Sequence, residues 1–495
     1  MTSPPAAGRA GPSAAVTADP HRQTSFPATP ILLAWLATAA ILSAGAGVLV
    51  LASDRFEYAR PLLAIPSLEL ATGLVLCGLA YVALLPLIAA SLRLPTKPRA
   101  LLVSGLIVMG LAWRLAMLAT TPALEDDFHR YLWDGAVTAS GLNPYAHAPA
   151  EAGAHGTPAR LLELAEAAGP VHGRINHPSL KTIYPPVAQA AFAAAYLASP
   201  FDLTAWRLVC VLGDVVTLTL LLAMLRHMGR SPLWVALYWW NPLLIKEMTN
   251  SAHMEAVLMP FVAAAVWLAM QARPRASAVA LAFAAGTKLW PLLLAPILYR
   301  HLFGTPKVGA GVAAILAGSC AAWAAPILAG GLDASSGFIA YATYWQTNSA
   351  LTPALVAAIK SLPELGADAP RTLARLALAA ALVATIAALA WRPWRDAGDL
   401  ARRMAFATTA IVLLSPAQFP WYLAWALPFA ALHPLAAVLA ASALAPLYYA
   451  SFHTFTISSA PDVRYVIAVA IWVPVWAAFA WDVARARPLA GGEPR

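Results

Sequence analysis

Long runs of apolar residues alternate with short polar segments along most of this chain. Runs such as 31–52, 101–119 and 310–329 are long enough to cross the hydrocarbon core of a bilayer, about 30 Å thick, as helices. Cutting the chain at breaker residues predicts about 14 spans. They lie at about 31–52, 66–91, 100–119, 203–225, 232–247, 254–270, 275–287, 290–303, 308–330, 371–391, 403–416, 420–432, 434–453 and 464–483. Several are short and interrupted by proline, as expected where helices line a cavity.

The composition supports a chain solvated mainly by lipid. Of its 495 residues, 60% are hydrophobic and 11% are charged, whereas soluble domains carry about 25% charged residues. We therefore predict an all-α, polytopic integral membrane protein with about 12–14 transmembrane helices, surrounded by membrane lipids. The three cysteines, Cys77, Cys210 and Cys320, lie in apolar runs without the spacing of a zinc site.

The formal net charge of +9 does not indicate nucleic-acid binding, because no basic run carries interleaved aromatic residues. Most positive residues instead lie in short loops on one side of the predicted topology, which places both chain ends in the cytoplasm. These residues are Arg93, Lys97, Arg99, Arg226, Arg230, Arg273, Arg275, Arg300, Lys307, Arg392, Arg395, Arg402, Arg403, Arg485 and Arg487. The alanine-rich, arginine-over-lysine composition suggests a bacterial inner membrane.

This topology divides the chain into three parts. Residues 1–29 are polar and rich in proline and alanine, so we expect a disordered cytoplasmic segment. Residues 30–485 form the multi-span domain, and 486–495 form a cytoplasmic tail. Within the domain, residues 120–185 make a large loop on the opposite, periplasmic side, where acids outnumber bases. Loops of this length are usually functional or disordered, and the helical and turn signals here favour function.

The loop opens with three consecutive acids, Glu125, Asp126 and Asp127, at the predicted start of a helix. A hydroxyl group that attacks a sugar carbon needs a carboxylate base within hydrogen-bond reach. A second acid beside the base can orient the acceptor or raise the pKa of its partner. The simpler interpretation is a set of capping acids on a surface helix. Adjacent acids could also hold a divalent cation, although no spacing demands a metal.

The motifs in and beyond this loop resemble the GT-C superfamily of glycosyltransferases, and they look closest to bacterial mannosyltransferase-like members related to family 87. The shared motifs are Asp127-x-x-Arg130-Tyr131-x-Trp133-Asp134-Gly135, Gly141-Leu142-Asn143-Pro144-Tyr145, Tyr184-Pro185-Pro186, Asn241-Pro242, Gly286-Thr287-Lys288-Leu289-Trp290-Pro291 and Leu414-Ser415-Pro416. The sequence departs from many relatives in one respect, because its acids follow the third predicted span and not the first.

The resemblance implies a polyprenyl-phosphate donor that carries a hexose, with mannose favoured, and inversion at the anomeric carbon. The acceptor would be a lipid, glycan or protein hydroxyl on the periplasmic face. The catalytic base carries over to Asp126 or Asp127, between which the sequence does not decide. Residues expected to bind substrate are Glu125, Arg130, Tyr131, Asp134, Lys181, Tyr184, Lys246, His253 and Lys288. No cofactor or metal ligand is predicted with certainty, although a divalent cation is compatible with the acids.

Two other functions fit parts of the sequence. A transporter or lipid-linked sugar flippase would place ionisable groups near the bilayer midplane, and among the acids only Asp214 lies deep in a predicted span. The more conservative interpretation of Asp214 is a polar tie between helices. An acyl- or phosphotransferase would use a histidine arrangement, for which His129 beside Asp126 is the candidate.

Overall fold

The computed structural model describes residues 2–3, 28–362, 366, 368–457 and 461–486. This part of the chain is helical and contains no β-strand. Two isolated bridges join Glu57 to Ala123 and Thr347 to Ala417. The predicted disordered segment 1–29 and the tail 486–495 lie almost entirely outside the described residues.

Twenty-three α-helices follow one another in the described ranges. They are α1 (Ala28–Ala52), α2 (Ser67–Val82), α3 (Leu84–Ser91), α4 (Thr96–Met117), α5 (Asp127–Ala139), α6 (Ala159–Ala168), α7 (Pro170–Gly173), α8 (Pro186–Ala198), α9 (Leu203–His227), α10 (Ala236–Trp239), α11 (Pro242–Leu244), α12 (Glu255–Met270), α13 (Pro274–Thr287), α14 (Ala295–Tyr299), α15 (Pro306–Ala329), α16 (Gly337–Tyr344), α17 (Leu351–Lys360), α18 (Ala369–Ala390), α19 (Ala397–Leu414), α20 (Leu427–Leu432), α21 (Ala436–Leu444), α22 (Ala450–Ile457) and α23 (Pro461–Ala486). Short 3₁₀ segments occupy Ser53–Phe56, Leu62–Ala64, Pro149–Glu151, Pro232–Val235, Trp290–Leu294, Arg300–Gly304, Pro420–Trp425 and Ala445–Tyr449, and Ile245–Asn250 is a π-helix.

Eight helices in this part of the chain are long and apolar enough to cross a membrane. They are Thr29–Phe56, Ser67–Ser91, Thr96–Met117, Leu203–His227, Pro306–Ala329, Ala369–Ala390, Ala436–His453 and Val463–Ala486. A ninth is reached if the pair Pro242–Asn250 and Glu255–Met270, bent by 117°, counts as one span. The prediction of an all-α, multi-pass membrane protein is confirmed.

The span count of about 12–14 differs from these eight or nine helices. The predicted spans at 232–247, 275–287, 290–303 and 420–432 are present as short or broken helices instead. Residues 235–241 and 243–247 of the first of these regions are buried. Where a broken helix is surrounded by other helices, its free backbone groups form hydrogen bonds with protein. Such a helix can therefore be shorter than one that contacts lipid.

A buried ion pair ties α4 to α9. The Nε of Arg114 donates to the Oδ2 of Asp214 at 2.8 Å, and both side chains are almost completely buried. The Tyr238 hydroxyl donates to the other carboxylate oxygen at 2.7 Å. The interpretation of Asp214 as a tie between helices is therefore confirmed.

The segment 118–202 packs as four helices over one end of the bundle. Here α5 lies against α8, with Gly135 at the crossing: a Cβ at this position would lie 2.5 Å from the carbonyl oxygen of Phe192. Helix α5 ends at Ala139, and Gly141 follows with φ +76°, the left-handed conformation that glycine commonly adopts just after a helix C-terminus. This packing fixes the start of α5, where the three acids lie.

Candidate active site

The acid turn, residues 124–127, joins α4 to α5. Leu124 adopts φ +50°, a left-handed conformation that costs a side-chain-bearing residue about 1–3 kcal/mol. Its backbone N–H donates to the Phe56 carbonyl at 2.8 Å. The Oε1 of Glu125 accepts the backbone N–H groups of Asp126 and Asp127, at 3.0 and 2.8 Å. Glu125 therefore caps the start of α5. Of the three acids, Glu125 is the one that has the predicted capping role.

The two aspartates crowd together with Glu125. One carboxylate oxygen from each of the three residues lies within 4.8 Å of the others. Burial, followed by the charges of Glu125 and Asp127, raises the pKa of Asp126 to about 7. Burial and the charge of Glu125 raise the pKa of Asp127 to about 6. Both groups can therefore exchange a proton near neutral pH, as a general base requires.

Asn176 holds the two aspartates from the far side of the loop. Its Nδ2 donates to the Oδ1 of Asp127 at 2.6 Å and to the Oδ1 of Asp126 at 3.1 Å. Hydrogen bonds of this kind favour the ionised carboxylates and so oppose the rise in their pKa. The amide thus aims both carboxylates in the same direction.

A cavity of about 700 Å³ opens in front of the acid turn. Its polar wall contains the acid turn, Asn176 and several cations. Its other wall is apolar and comes from α18, α19 and the start of the segment after α13. Its lining includes Tyr58, Arg130, Tyr131, Lys181, Tyr184, Glu255, Lys288, Leu289, Leu293, Tyr341, Trp345, Arg375, Leu378, Leu382, Leu414, Trp421, Tyr422 and Trp425.

Four cationic side chains line the cavity. Lys288 contacts Glu255 at 2.5 Å and lies over the rings of Tyr422 and Trp425. Lys181 contacts Asp333 at 2.6 Å and donates to the Gly330 carbonyl. Arg130 and Arg375 donate to backbone carbonyls: Arg130 to those of residues 176 and 177, and Arg375 to those of residues 342 and 345.

The structure brings most of the predicted site residues together. Eight of them line the cavity: Glu125, Asp126, Asp127, Arg130, Tyr131, Lys181, Tyr184 and Lys288. Three do not. Asp134 accepts hydrogen bonds from Thr182 and Gln189 in the core between α5 and α8, and Lys246 and His253 lie fully buried behind the cavity wall.

The sequence did not single out several residues that the cavity contains. Asn176 and Glu255 line the cavity but are not among the predicted substrate contacts, and nothing in the sequence around Tyr58 or Arg375 marks either residue. The aromatic residues Tyr341, Trp345, Trp421 and Tyr422 could be read from sequence as an interfacial belt, but here they form cavity wall. Glu255 carries one sequence signal, since it lies at the start of the predicted span 254–270, five residues before Pro260.

Two residues of the cavity lining have a strained backbone. Leu124 and His177 both line the cavity and both have positive φ, at +50° and +46°. Ala252, directly before His253, has φ +59°. Strained residues of this kind cluster at functional sites, where surrounding structure holds them in place. The positions therefore support this cavity as the working site, independently of its charges.

The acid turn could also hold a divalent cation. Its three carboxylates are hard oxygen ligands of the type that Mg²⁺ and Mn²⁺ prefer, and they lie close enough for one ion. Glu125, Glu247 and His253 are equally close, but Lys246 at 3.2 Å from Glu247 already supplies positive charge there.

His129 does not form the acid–histidine arrangement of the phosphotransferase alternative. In the described structure neither ring nitrogen has a hydrogen-bond partner, and the ring packs on Phe128 at 4.0 Å. Burial, followed by the charge of Arg174, lowers the pKa of His129 to about 4. The imidazole therefore lacks an orienting carboxylate.

Comparison with known proteins finds similarity to mannosyltransferases. A family model described as alpha-(1->6)-mannopyranosyltransferase, N-terminal domain, matches residues 31–304. The alpha-(1->6)-mannopyranosyltransferase A of Mycobacterium tuberculosis is 25% identical over 344 residues, which cover 66% of this chain and 64% of that protein. No solved structure matches the chain. The resemblance to mannosyltransferase-like members of the GT-C superfamily is confirmed.

Proposed function

The chain belongs to the alpha-(1->6)-mannopyranosyltransferase family, and on that premise we propose that it transfers a mannosyl residue from a polyprenyl-phosphate donor to a lipid, glycan or protein hydroxyl. The chain spans 64% of the length of the curated relative it matches, so the activity is our proposal for this protein. One observation carries it: the acid turn opens into a cavity that has cations on one wall and apolar side chains on the other.

In the proposed reaction, Asp126 or Asp127 accepts the proton of the acceptor hydroxyl. The acceptor oxygen then forms a bond to the anomeric carbon while the bond from that carbon to the phosphate oxygen breaks. The products are the glycosylated acceptor, with inverted configuration, and the polyprenyl phosphate. A carboxylate with a pKa of about 6–7 suits this work, because it is ionised at neutral pH and still basic.

The donor phosphate needs positive charge where negative charge develops on the leaving group. Lys288 and Arg375 line the cavity, and both stand next to its apolar wall. Arg375 forms hydrogen bonds only to backbone carbonyls among the described residues, so its charge has no carboxylate partner there. We therefore favour Arg375, with Lys288, as the groups that hold the phosphate.

The apolar wall suits an isoprenoid tail. Leu378 and Leu382 lie on α18, Leu414 ends α19, and Leu289 and Leu293 follow α13. Leu289 is 56% exposed, so this wall continues onto the outer surface of the bundle, where lipid is expected. A polyprenyl chain could enter sideways from the bilayer while its head group reaches the acid turn.

Aromatic rings on the remaining wall support recognition of sugar. Tyr341 stacks on Trp345, and the hydroxyl groups of Tyr341 and Tyr422 lie 2.7 Å apart. Such rings offer flat faces to sugar C–H groups and hydroxyl groups to sugar oxygens. The predicted substrate contacts of Arg130, Tyr131, Lys181 and Tyr184 remain part of this proposal.

We place the site on the periplasmic face, with both chain ends in the cytoplasm. Helix α4 supports this assignment, because Arg93, Lys97 and Arg99 lie around its first turn and the acid turn follows its other end. The transporter alternative loses its main support, since Asp214 is neutralised by Arg114.

The test is transfer by the purified protein in lipid nanodiscs, with radiolabelled polyprenyl-phosphate mannose as donor and membrane glycolipids as acceptor. Asp126→Asn and Asp127→Asn identify the base, and we expect one of them to lose about 10²–10⁴-fold in rate. Glu163→Gln is the matched control, because Glu163 is an exposed acid of the same loop that pairs with Arg160.

Three results are informative. Loss of transfer in one Asn variant that still binds donor supports the proposal and names the base. Equal rates in parent and both Asn variants contradict the assignment of the base. Transfer by the parent from another polyprenyl-phosphate sugar, but not from the mannose donor, contradicts mannose and keeps the reaction class. A chelator added to the same assay decides the question of a divalent cation.

A further inference from the structure

A buried ionic group lies behind the cavity wall and consists of Glu125, Lys246, Glu247, His253 and Tyr449. Glu125 is 7% exposed, and the other four are at most 1% exposed. Removing charged groups from water costs several kcal/mol for each ion, so such a group is poor evidence for stability alone. Perturbed, buried charges beside a cavity more often serve a function.

The members form a continuous chain of contacts. Lys246 Nζ lies 3.2 Å from the Oε2 of Glu247 and donates to the Tyr449 hydroxyl, which in turn donates to the Oε1 of Glu247. His253 Nε2 lies 3.4 Å from the Oε2 of Glu247 and 2.9 Å from the Oε2 of Glu125. The two carboxylates favour the protonated imidazole, which balances two negative charges with two positive ones.

His253 is held rigidly in this position. Its ring stacks on Trp421 with centroids 4.0 Å apart and an angle of 18° between the planes. The residue before it, Ala252, has φ +59°, and the Ala252 carbonyl accepts from the Trp206 indole at 2.7 Å. Stacking and strained backbone together fix where the imidazole edge points.

Glu125 connects this group to the acid turn. Its Oε2 faces His253, and its Oε1 accepts the backbone N–H groups of the two aspartates. Glu125 cannot rotate to satisfy one side without losing the other. The orientation of the aspartates is therefore coupled, through one carboxylate, to a histidine 128 residues along the chain that does not line the cavity.

We propose that His253 is a positioning residue that anchors Glu125 and, through it, aims Asp126 and Asp127 at the substrate. The expected effect on sugar transfer rests on the proposed function. The anchoring of Glu125 by His253 rests on the geometry of the buried ionic group. This role of His253 differs from the direct substrate contact that the sequence predicts. Misplacement of a reacting group by about 1 Å can cost about 100-fold in rate.

The main test compares His253→Leu with His253→Gln. Leucine removes the charge and both ring nitrogens, whereas glutamine keeps a polar amide near the place of Nε2. We expect kcat to fall about 100-fold in the leucine variant and about tenfold in the glutamine variant. The KM for the donor should stay within about twofold of the parent value, because His253 does not line the cavity.

Tyr449→Phe is the matched control. It removes two hydrogen bonds at the far end of the same buried group, those with Lys246 and Glu247, and leaves the contact between His253 and Glu125 intact. A general structural role predicts parallel losses of kcat and melting temperature in the variants at positions 253 and 449. A positioning role predicts a loss of kcat confined to position 253.

A second readout needs no substrate. A hydrophobic carbodiimide modifies protonated carboxyl groups, and mass spectrometry of the peptide containing Glu125, Asp126 and Asp127 measures its extent against pH. The charged or titratable groups facing these acids are Tyr58, His129, Tyr131, Arg174, Tyr184, Lys246, Glu247, His253, Glu255, Tyr448 and Tyr449. Loss of the positive charge at 253 should move the labelling midpoint upward by about one pH unit.

The outcomes separate this inference from the proposed function. An unchanged kcat and an unchanged labelling midpoint in folded His253→Gln overturn it. If the parent transfers no sugar from any donor, the proposed function fails, while an upward shift of the midpoint still supports the coupling of His253 to the acid turn. If His253→Leu does not fold, the glutamine variant decides: a normal melting temperature with reduced kcat supports positioning.

Discussion

At the pair Arg114–Asp214, opposite charges meet at 2.8 Å and the second carboxylate oxygen accepts from Tyr238. At the acid turn, three carboxylates lie within 4.8 Å, and the amide of Asn176 is shared between two of them. Both regions shield charged groups from bulk water, the pair almost completely and the turn in part. The pair neutralises its charge and ties two helices, whereas the turn keeps like charges together and raises the pKa of Asp126 and Asp127. Burial alone therefore does not distinguish a structural ion pair from a catalytic group of acids, whereas the balance of charge does.

The largest expected effect is a loss of stability when the pair Arg114–Asp214 is broken. Asp214→Leu leaves the buried guanidinium of Arg114 without its carboxylate, which should lower the free energy of unfolding by about 3–5 kcal/mol. Thermal and denaturant unfolding in detergent measures this loss. The double variant Arg114→Leu with Asp214→Leu should recover most of it, because no unpaired charge remains; a double variant as unstable as the single one would contradict this account.

The crowding of carboxylates at the acid turn should appear in the pH dependence of sugar transfer. Because the pKa of Asp126 is raised to about 7 and that of Asp127 to about 6, the base becomes protonated as the pH falls through this range. Transfer should then decline about tenfold for each further pH unit. An aspartate with an ordinary pKa would keep working to about pH 4. Measuring kcat/KM from pH 5 to 8.5 distinguishes the two, and a flat profile would count against a base in this turn.

Removing the amide that the aspartates share should have a smaller effect. Asn176→Leu deletes a donor to both carboxylates, so kcat/KM should fall about tenfold and the acidic limb of the profile should move to higher pH. Asn176→Asp adds a fourth acid and should move that limb further in the same direction. Steady-state kinetics across pH tests both variants, and an acidic limb that stays in place would show that Asn176 does not contact the base.

The smallest effect is a gain in stability. The folded-state pKa of Asp126 is raised, so its protonated form stabilises the fold fully below about pH 4, and this contribution is lost as the pH rises through about 7. Asp126→Asn removes the negative charge at every pH. We expect the variant to exceed the parent by about 1 kcal/mol at pH 8, since partial exposure screens the repulsion, and by nothing at pH 4. Melting temperatures at the two pH values test this.

Local features of the sequence predicted the fold class and the position of the three acids at the start of α5. Apolar runs about 20 residues long predict α1, α4 and α15 because crossing the hydrocarbon core depends only on length and hydropathy. The start of α5 and its glycine stop also follow from local chemistry, since caps act over a few residues. The count of crossing helices could not follow in the same way, because buried helices such as α10 and α11 are held by their neighbours and not by lipid.

The sequence by itself determined that this is a helical membrane protein and that three acids begin α5. Only the tertiary structure decided which distant charges meet. Arg114 pairs with Asp214, Lys288 with Glu255, and His253 with Glu125. It also decided that Asp134, Lys246 and His253 lie outside the cavity, whereas Tyr58 and Arg375 line it. The reason is physical: hydropathy and capping act within a few residues, while the pairing of buried charges depends on how helices far apart in sequence pack together.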